Sequence, residues 1–519
     1  MRFLKEKLNL RLYQQTILNT ALKESTLCVI PTGLGKTYIA IALSGLRLKT
    51  HPESKILFLA PTKPLVDQHK KTFSKFFEAD GKEMIIFTGE VLPSIRKKQF
   101  KEAKIIFSTP QCIRNDLECK RISLKDISLL IVDEAHRSVG DYAYVYVARV
   151  YKDQADNFRL LALTASPGSS EVKISEICNN LFVTALEVRG RDHSEVKEYI
   201  QPLTSEYKFV ELPEYMIKIK KFLEIAINER LSYLHRRKLI RVSKVDRVRK
   251  KDLIRLQLML QKRLAKKDFT IAKAASDCAF LLKTFHALRL LESESLAAFD
   301  KYMDRLWKDA KENKTRAVQN MVKDKNIEQA KILTKKELEK NHDHPKLPLL
   351  RKIVEEQVGI NKYSKILIFT EFRDNISKLV ETLEDVKLCS VEEFIGQASK
   401  STKGMSQKQQ VEVLERFKGG YITCLIATAV AEEGIDVPDV DLVIFYTPVP
   451  SAIRSIQRKG RTARKKEGKL IILITKNTRD EAIFWISKRR EKGMDLATKK
   501  ISERKIKGQK RLDYYENNS

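Results

Sequence analysis

The segment PTGLGKT at residues 31–37 directly follows the apolar run TLCVI at 26–30. A loop that joins a buried strand to a helix must bend sharply. Glycines at 33 and 35 permit the unusual dihedrals and a close approach of backbone N–H groups to phosphate oxygens. The Lys36 ammonium can then reach the β- and γ-phosphates, and the Thr37 hydroxyl can hold Mg²⁺. Thr32, Gly33, Leu34, Gly35, Lys36 and Thr37 are the expected phosphate cradle, with ATP and Mg²⁺ as the expected cofactors. The strict GxxxxGK[ST] pattern would place a glycine where this chain has Ile30.

A second apolar run, SLLIV at 128–132, ends in DEAH at 133–136. A carboxylate at Asp133 can bind Mg²⁺ through water, and Glu134 can orient or deprotonate an attacking water. His136 is expected to link the nucleotide site to Thr164 and Ser166 rather than to ligate metal. QRKGRTAR at 457–464 places Gln457, Arg461 and Arg464 on one helical stripe at i, i+4 and i+7. Facing a nucleotide cleft, such an arginine acts as a finger worth roughly 10³ to 10⁵ in rate.

Working outward from these two segments, residues 26–189 alternate short apolar runs with amphipathic stretches. The runs TLCVI, KILFLA, MIIF, KIIFS, SLLIVDE and LLALTAS are leucine-rich or β-branched without alternation, as expected of strands buried on both faces of a parallel sheet. Polar and small residues sit just after them, where doubly wound sheets form their binding crevice. Residues 364–477 repeat the pattern with KILIFTEF, ITCLIATAV, DLVIFYT and KLIILITK. Residues 205 to 345 differ, with almost no glycine and long Leu/Ile/Lys/Arg/Glu stretches at helical spacing. Leu253, Leu256, Leu260 and Leu264 form one such stripe, read as a core face. Between Arg236 and Thr270 there are 14 Lys/Arg against 3 Asp. Arg247, Arg249, Lys250 and Lys251 in that stretch are expected to touch nucleic acid. NHDHPKLP at 341–348 reads as a linker, because Pro345 and Pro348 break a helix. His342 and His344 within it have no further His or Cys nearby and are not expected to bind metal.

At 519 residues the chain has room for three units, and Lys+Arg exceeds Asp+Glu by 32. Such a surplus favours a polyanionic partner through counterion release from phosphates. Seven scattered cysteines, none in a CxxC unit, argue against a zinc ribbon, an iron–sulfur cluster or a secreted disulfide framework. The start, MRFLKEKLNL, lacks the apolar core of a signal peptide, and no apolar run approaches the roughly 18 residues that span a bilayer. A cytoplasmic, nucleoid-associated protein with no membrane contact is expected.

Taken in order, LRLYQQ (10–15), PTGLGKT, LAPTKPLVDQ (59–68), TGE (88–90), STPQ (108–111), DEAH, TASP (164–167), IFTEF (368–372), GQ (396–397), ATAVAEEGID (427–436) and QRKGRTAR resemble the motif series of superfamily 2 helicases over about residues 10–475. That family commonly lacks the glycine missing at Ile30. The resemblance implies an α/β fold of two RecA-like parallel-sheet domains with an all-helical insertion domain between them: residues 1–200, 201–345 and 346–490, then a basic tail at 491–519. It also implies adenine contacts from Arg11, Tyr13 and Gln14. One strand's phosphates would lie on Pro61, Thr62, Lys63, Thr88, Gly89 and Thr109 of the first domain, and on Thr370, Arg373, Gly396, Gln397 and Thr428 of the second. Gly434 and Asp436 would join the ATP and strand sites.

Within the superfamily, PTGLGKT, DEAH, TASP and QRKGRTAR with a long helical insert are most similar to the archaeal Hef and FANCM type. Relatives of the RIG-I and Dicer type share the layout but usually carry Cys where this chain has Ala135. The resemblance implies a DNA motor for forks and Holliday junctions in repair and replication restart. Hef also carries an XPF-type nuclease. Glu503-Arg504-Lys505 spells part of its acidic motif, but no GD precedes it, so the chain is read as the motor alone, with such a nuclease expected in cis beyond its end. QKRLDYY at 509–515 nearly fits a sliding-clamp motif, one position short. Two further readings stay open: a duplex-RNA-stimulated ATPase, and an ATP-gated DNA clamp that recruits a nuclease.

Overall fold

The computed structural model describes residues 2–3, 8–168, 170–191, 193–199, 203–396, 404–428, 440–449 and 468–506. The early apolar runs become a seven-stranded sheet in the order Met84–Phe87, Ile105–Ser108, Lys55–Leu59, Ile127–Val132, Leu160–Thr164, Thr26–Val29, Ala185–Val188. Every pairing in it is parallel. Parallel strands need long crossovers, and the crossover helices cover both faces. The pleat sends Leu57 and Leu130 into one apolar layer and Phe58 and Ile131 into the other.

A second sheet of six parallel strands runs Leu203–Val210, Gly468–Thr475, Leu442–Phe445, Ile366–Phe369, Cys424–Ala427, Val391–Phe394. Its first strand corrects the expected boundary at residue 201. Leu203–Val210 belongs to the second α/β unit, paired residue for residue with Gly468–Thr475. The reading failed because an edge strand needs little apolar sequence: TSEYKFV carries charges that pair across the edge, as Glu206 does with Lys469 at 2.8 Å. The insert is therefore looped out of the second unit rather than lying between two finished domains.

The insert is all-helical, with helices Glu214–Arg236, Lys250–Ala265, Ala272–Ser293, Leu296–Lys311, Arg316–Val322 and Lys325–Glu339 around one core. Leu253, Leu256 and Leu260 are buried in that core and Leu264 packs against it. Pro345 and Pro348 do not break a helix here. Pro345 caps, and Pro348 sits in the first turn of, helix Lys346–Ile360, where a missing N–H costs nothing. That helix packs against the second sheet. His344 is fully buried, with Nε2 3.1 Å from the Glu292 carbonyl and Nδ1 3.2 Å from the Lys346 N–H. Burial and the Lys346 charge push its pKa down to about 3, so the ring is neutral and donates to Glu292.

The turn between Ala272–Ser293 and Leu296–Lys311 anchors the insert. Glu294 there is fully buried and accepts hydrogen bonds from Thr370 Oγ1 (2.6 Å), Asn375 Nδ2 (2.7 Å) and Thr447 Oγ1 (2.6 Å) of the second unit. Its carbonyl accepts from the Tyr446 hydroxyl at 2.6 Å. Beside it, buried Lys346 pairs with Asp480 and donates to the carbonyls of Ser293 and Tyr446. Burial raises the Glu294 carboxyl to about 7, against the lowering pull of the Thr370 and Thr447 hydroxyls and the Lys346 charge. A carboxyl raised on folding stabilises the fold most below its ordinary value of 4.5 and loses that contribution as pH climbs through about 7. Glu294→Gln should therefore gain stability relative to the unaltered protein as pH rises over that window, measured as the difference in thermal midpoint at each pH.

Candidate active site

Gly33 and Gly35 adopt φ of 85° and 73°, which L-residues rarely tolerate. Gly35 caps helix Lys36–Thr50, whose N–H groups and dipole favour an anion at that end. A Cβ on Gly35 would lie 2.5 Å from Gln14 Nε2, so Gln14 would have to shift to admit one. The Lys36 ammonium donates to the carbonyls of Ile30 (3.1 Å) and Pro31 (3.4 Å).

Tyr13 and Gln14 stand differently from the expected adenine contacts. Tyr13 is buried and its hydroxyl donates to the Leu34 carbonyl at 2.8 Å. Gln14 donates to the same carbonyl at 3.1 Å and accepts from the Arg11 N–H at 2.9 Å. Both side chains hold up the phosphate loop from beneath, because helix Leu12–Lys23 packs on the loop's helix. Arg11 alone of the three is exposed, with its guanidinium 3.9 Å over the Tyr199 ring.

Asp133 ends strand Ile127–Val132 and is held at three points. Its N–H donates to the Leu59 carbonyl (2.9 Å), its carbonyl accepts from the Tyr144 hydroxyl (2.7 Å), and its Oδ2 lies 2.9 Å from His69 Nε2. Burial would raise its carboxyl. The His69 hydrogen bond and charge, Lys36 and the Glu134 N–H together outweigh burial and hold it below the ordinary carboxylate value. Glu134 sits in left-handed backbone at φ 50°, and its carboxylate lies 3.2 Å from His136 Nδ1. The same nitrogen is 3.3 Å from Thr164 Oγ1, which in turn accepts from the Ser166 N–H at 3.2 Å. The loop, Asp133 and this chain of contacts occupy the carboxyl edge of one sheet. An ionised carboxylate, a hydroxyl at Thr37 and a lysine make a donor set that fits Mg²⁺ with a nucleoside triphosphate.

The same edge carries the expected strand face. Thr62 caps helix Lys63–Phe73 and Thr109 caps helix Pro110–Glu118, following the adjacent strands Lys55–Leu59 and Ile105–Ser108. Pro61 precedes the first cap, and Lys63 pairs with Glu90. Thr88 and Gly89 follow the neighbouring strand Met84–Phe87. Two clusters that the sequence did not reveal brace this face. Buried Arg96 grips Asp116 through Nε (2.6 Å) and Nη2 (2.7 Å) and also donates to the Val91 carbonyl, while Arg121 adds a contact to Asp116 at 3.0 Å. His69 is the other, visible in sequence only as a lone histidine after LVDQ.

On the second unit, Thr370 cannot offer phosphate a donor. Its N–H goes to the Ala427 carbonyl at 3.0 Å and its hydroxyl to Glu294, because the insert turn covers it. Arg373 is half-buried, and Gly396 and Thr428 are buried. Gln397, Gly434, Asp436, Gln457, Arg461 and Arg464 lie outside the described residues, as does the clamp-like 509–515. In the insert, Arg247, Arg249, Lys250 and Lys251 are all exposed. Arg479 ties this turn down through the Val245 carbonyl at 3.0 Å. Lys250 acts electrostatically on His286, whose ring packs 5.0 Å from Phe372. Among the described residues, no three His, Cys, Asp or Glu form a metal cluster, and no helix is long and apolar enough to cross a membrane.

Three family profiles match along the chain: "Type III restriction enzyme, res subunit" over residues 7–169, "Putative ATP-dependent RNA helicase, helical bundle" over 215–341, and "Helicase conserved C-terminal domain" over 346–466. The crystal structure of the Pyrococcus furiosus Hef helicase domain is 40% identical with a TM-score of 0.69, covering 94% of this chain and 100% of that one. "Putative ATP-dependent RNA helicase MJ1505" of Methanocaldococcus jannaschii is 39% identical over 95% of this chain and 61% of its own length. The Fanconi anemia group M protein of Gallus gallus is 27% identical over 98% of this chain and 26% of its own length. The chain thus spans less than two thirds of these two curated relatives.

Replacing Gly35 by Ala tests the cradle. Left-handed strain of roughly 1–2 kcal/mol adds to the clash with Gln14. Nucleotide affinity should fall by about tenfold or more, read by titration with a fluorescent ADP.

Proposed function

This chain belongs to the superfamily 2 helicases of the Hef and FANCM type, and we propose that it is an ATP-driven DNA translocase acting on forks and junctions in repair and replication restart. One observation carries the reading: the Asp133 site and the helix N-termini at Thr62 and Thr109 share a single sheet edge. Small and hydroxyl residues at helix N-termini suit sequence-blind phosphate contacts. The exposed Arg247, Arg249, Lys250 and Lys251 of the insert support a grip on the phosphates of the duplex arms.

In the proposed cycle, Gly33 to Thr37 cradle the triphosphate and Lys36 neutralises charge on its outer phosphates. Thr37 and Asp133 hold Mg²⁺, which supplies charge stabilisation when bound. Glu134 takes the proton of the attacking water, and His136 steadies Glu134 against Thr164. Arg461 and Arg464 reach the γ-phosphate when the two units close. Reopening shifts the strand face of the second unit, with its anchored insert, against that of the first. The work takes place in the cytoplasm on nucleoid DNA. The jannaschii relative's name favours a second reading, an RNA-stimulated ATPase.

Lys36→Ala and Glu134→Gln should each abolish ATP turnover while DNA binding persists; near-normal turnover in either would refute the site. Charge reversal of Arg247, Arg249, Lys250 and Lys251 together should weaken fork binding and lower the salt slope by about 0.9 per lost phosphate contact, measured by fluorescence anisotropy. Turnover stimulated by fork DNA, Holliday junction and duplex RNA, side by side, separates the DNA and RNA readings.

A further inference from the structure

Two of the three contacts that hold Asp133 come from one neighbouring strand–helix unit. Its N–H is fixed to Leu59 at the end of strand Lys55–Leu59. The Tyr144 hydroxyl that holds the Asp133 carbonyl lies 3.5 Å from the same Leu59 carbonyl. Its carboxylate meets His69, which lies on helix Lys63–Phe73, the helix that follows that strand. The His69 ring is itself fixed, 4.4 Å from the Phe58 ring on the strand. Both groups are nearly buried, at 7% and 6% exposure, so water does not compete for the bond.

The amino end of this helix is Thr62 and Lys63, the strand-phosphate face of the proposed function. His69 is six residues further on, about 9 Å along the axis at 1.5 Å per residue. The helix has 11 residues, about three turns, and moves as a rigid piece over that span, so a shift at its first turn reaches Asp133 through one side chain.

We propose that His69 is a positioning residue that transmits strand engagement at Thr62–Lys63 to the Asp133 carboxylate, and so couples DNA binding to the metal-holding geometry of the ATP site. The carboxylate oxygen accepts this bond, so the site needs an N–H donor at that point in space, not an imidazole as such. Glutamine places its amide nitrogen at nearly the same reach, which makes it the conservative replacement. The inference rests on the DNA reading above.

The test compares the unaltered full chain with His69→Ala and His69→Gln. Mn²⁺ affinity of the ADP complex is read by electron paramagnetic resonance, and ATP turnover with and without fork DNA gives the stimulation ratio. Expected for His69→Ala is a loss of about tenfold in Mn²⁺ affinity and in stimulation, with fork affinity unchanged and both losses largely restored in His69→Gln. Unchanged Mn²⁺ affinity and stimulation in His69→Ala would overturn the proposal, and so would losses that glutamine fails to restore. A second measurement needs no variant: Mn²⁺–ADP should slow amide exchange in Lys63–Phe73 of the unaltered chain, and no slowing there would overturn it. Absence of any DNA stimulation in the unaltered chain would instead sink the DNA reading, whereas stimulation that survives His69→Ala sinks the coupling alone.

Discussion

Parallel strands buried on both faces leave a chain little choice about where to put its chemistry. The crossover helices occupy the faces, so loops that can bind a ligand are confined to the strand ends. In the first unit this constraint brings PTGLGKT, Asp133, Thr164, Thr62, Thr88 and Thr109 to one edge, although they span residues 31–164. Short strands such as Thr26–Val29 and Ile105–Ser108 are buried throughout because neither face meets water. Their polar residues, Thr26 and Ser108, sit at the strand ends. The proposed nucleotide loop and the proposed strand face thus become neighbours through sheet order, linked by short local contacts such as His69 to Asp133.

Buried charges then decide which pieces move together. Glu294 with its hydroxyl and amide partners, Lys346 with Asp480, and Arg96 with Asp116 are each desolvated and each held by a specific buried partner. Such pairs add little net stability over apolar residues of the same shape, but removing one partner strands the other at a cost of about 3–5 kcal/mol. They therefore act as specific joints. Glu294 and Lys346 join the insert to the second sheet, and Arg96 with Asp116 joins two helices under the strand face. A helical insert held this way is tied to the second unit.

The residues that could be read in advance share one property: their role is local. Gly33, Gly35, Lys36, Asp133 and Glu134 are recognisable because the chemistry needs those side chains at those spacings next to an apolar run. Tyr13 and Gln14 were also picked out, yet their task changed, since what they touch is the Leu34 carbonyl rather than an open site. Thr370 changed more, because a carboxylate from the insert arrives to take its hydroxyl. His69, Arg96 and Asp116 gave no signal at all. Each looks like an ordinary residue of an amphipathic helix until its partner is known.

The sequence by itself determined the class of fold, the helical character of the insert, the chemistry of the phosphate loop and the basic surface. These follow from periodicity, composition and short spacings, which record whether a stretch is buried on one face, on both or on neither. Only the tertiary structure decided that Leu203–Val210 completes the second sheet, that Asp133 is gripped by His69 across a separation of 64 residues, and that Thr370 is claimed by Glu294 across 76. Periodicity reports how deeply a residue is buried, whereas a hydrogen bond depends on which residue of a distant segment is buried beside it. That pairing is set by sheet order and helix packing, and neither is written in any local stretch of the chain.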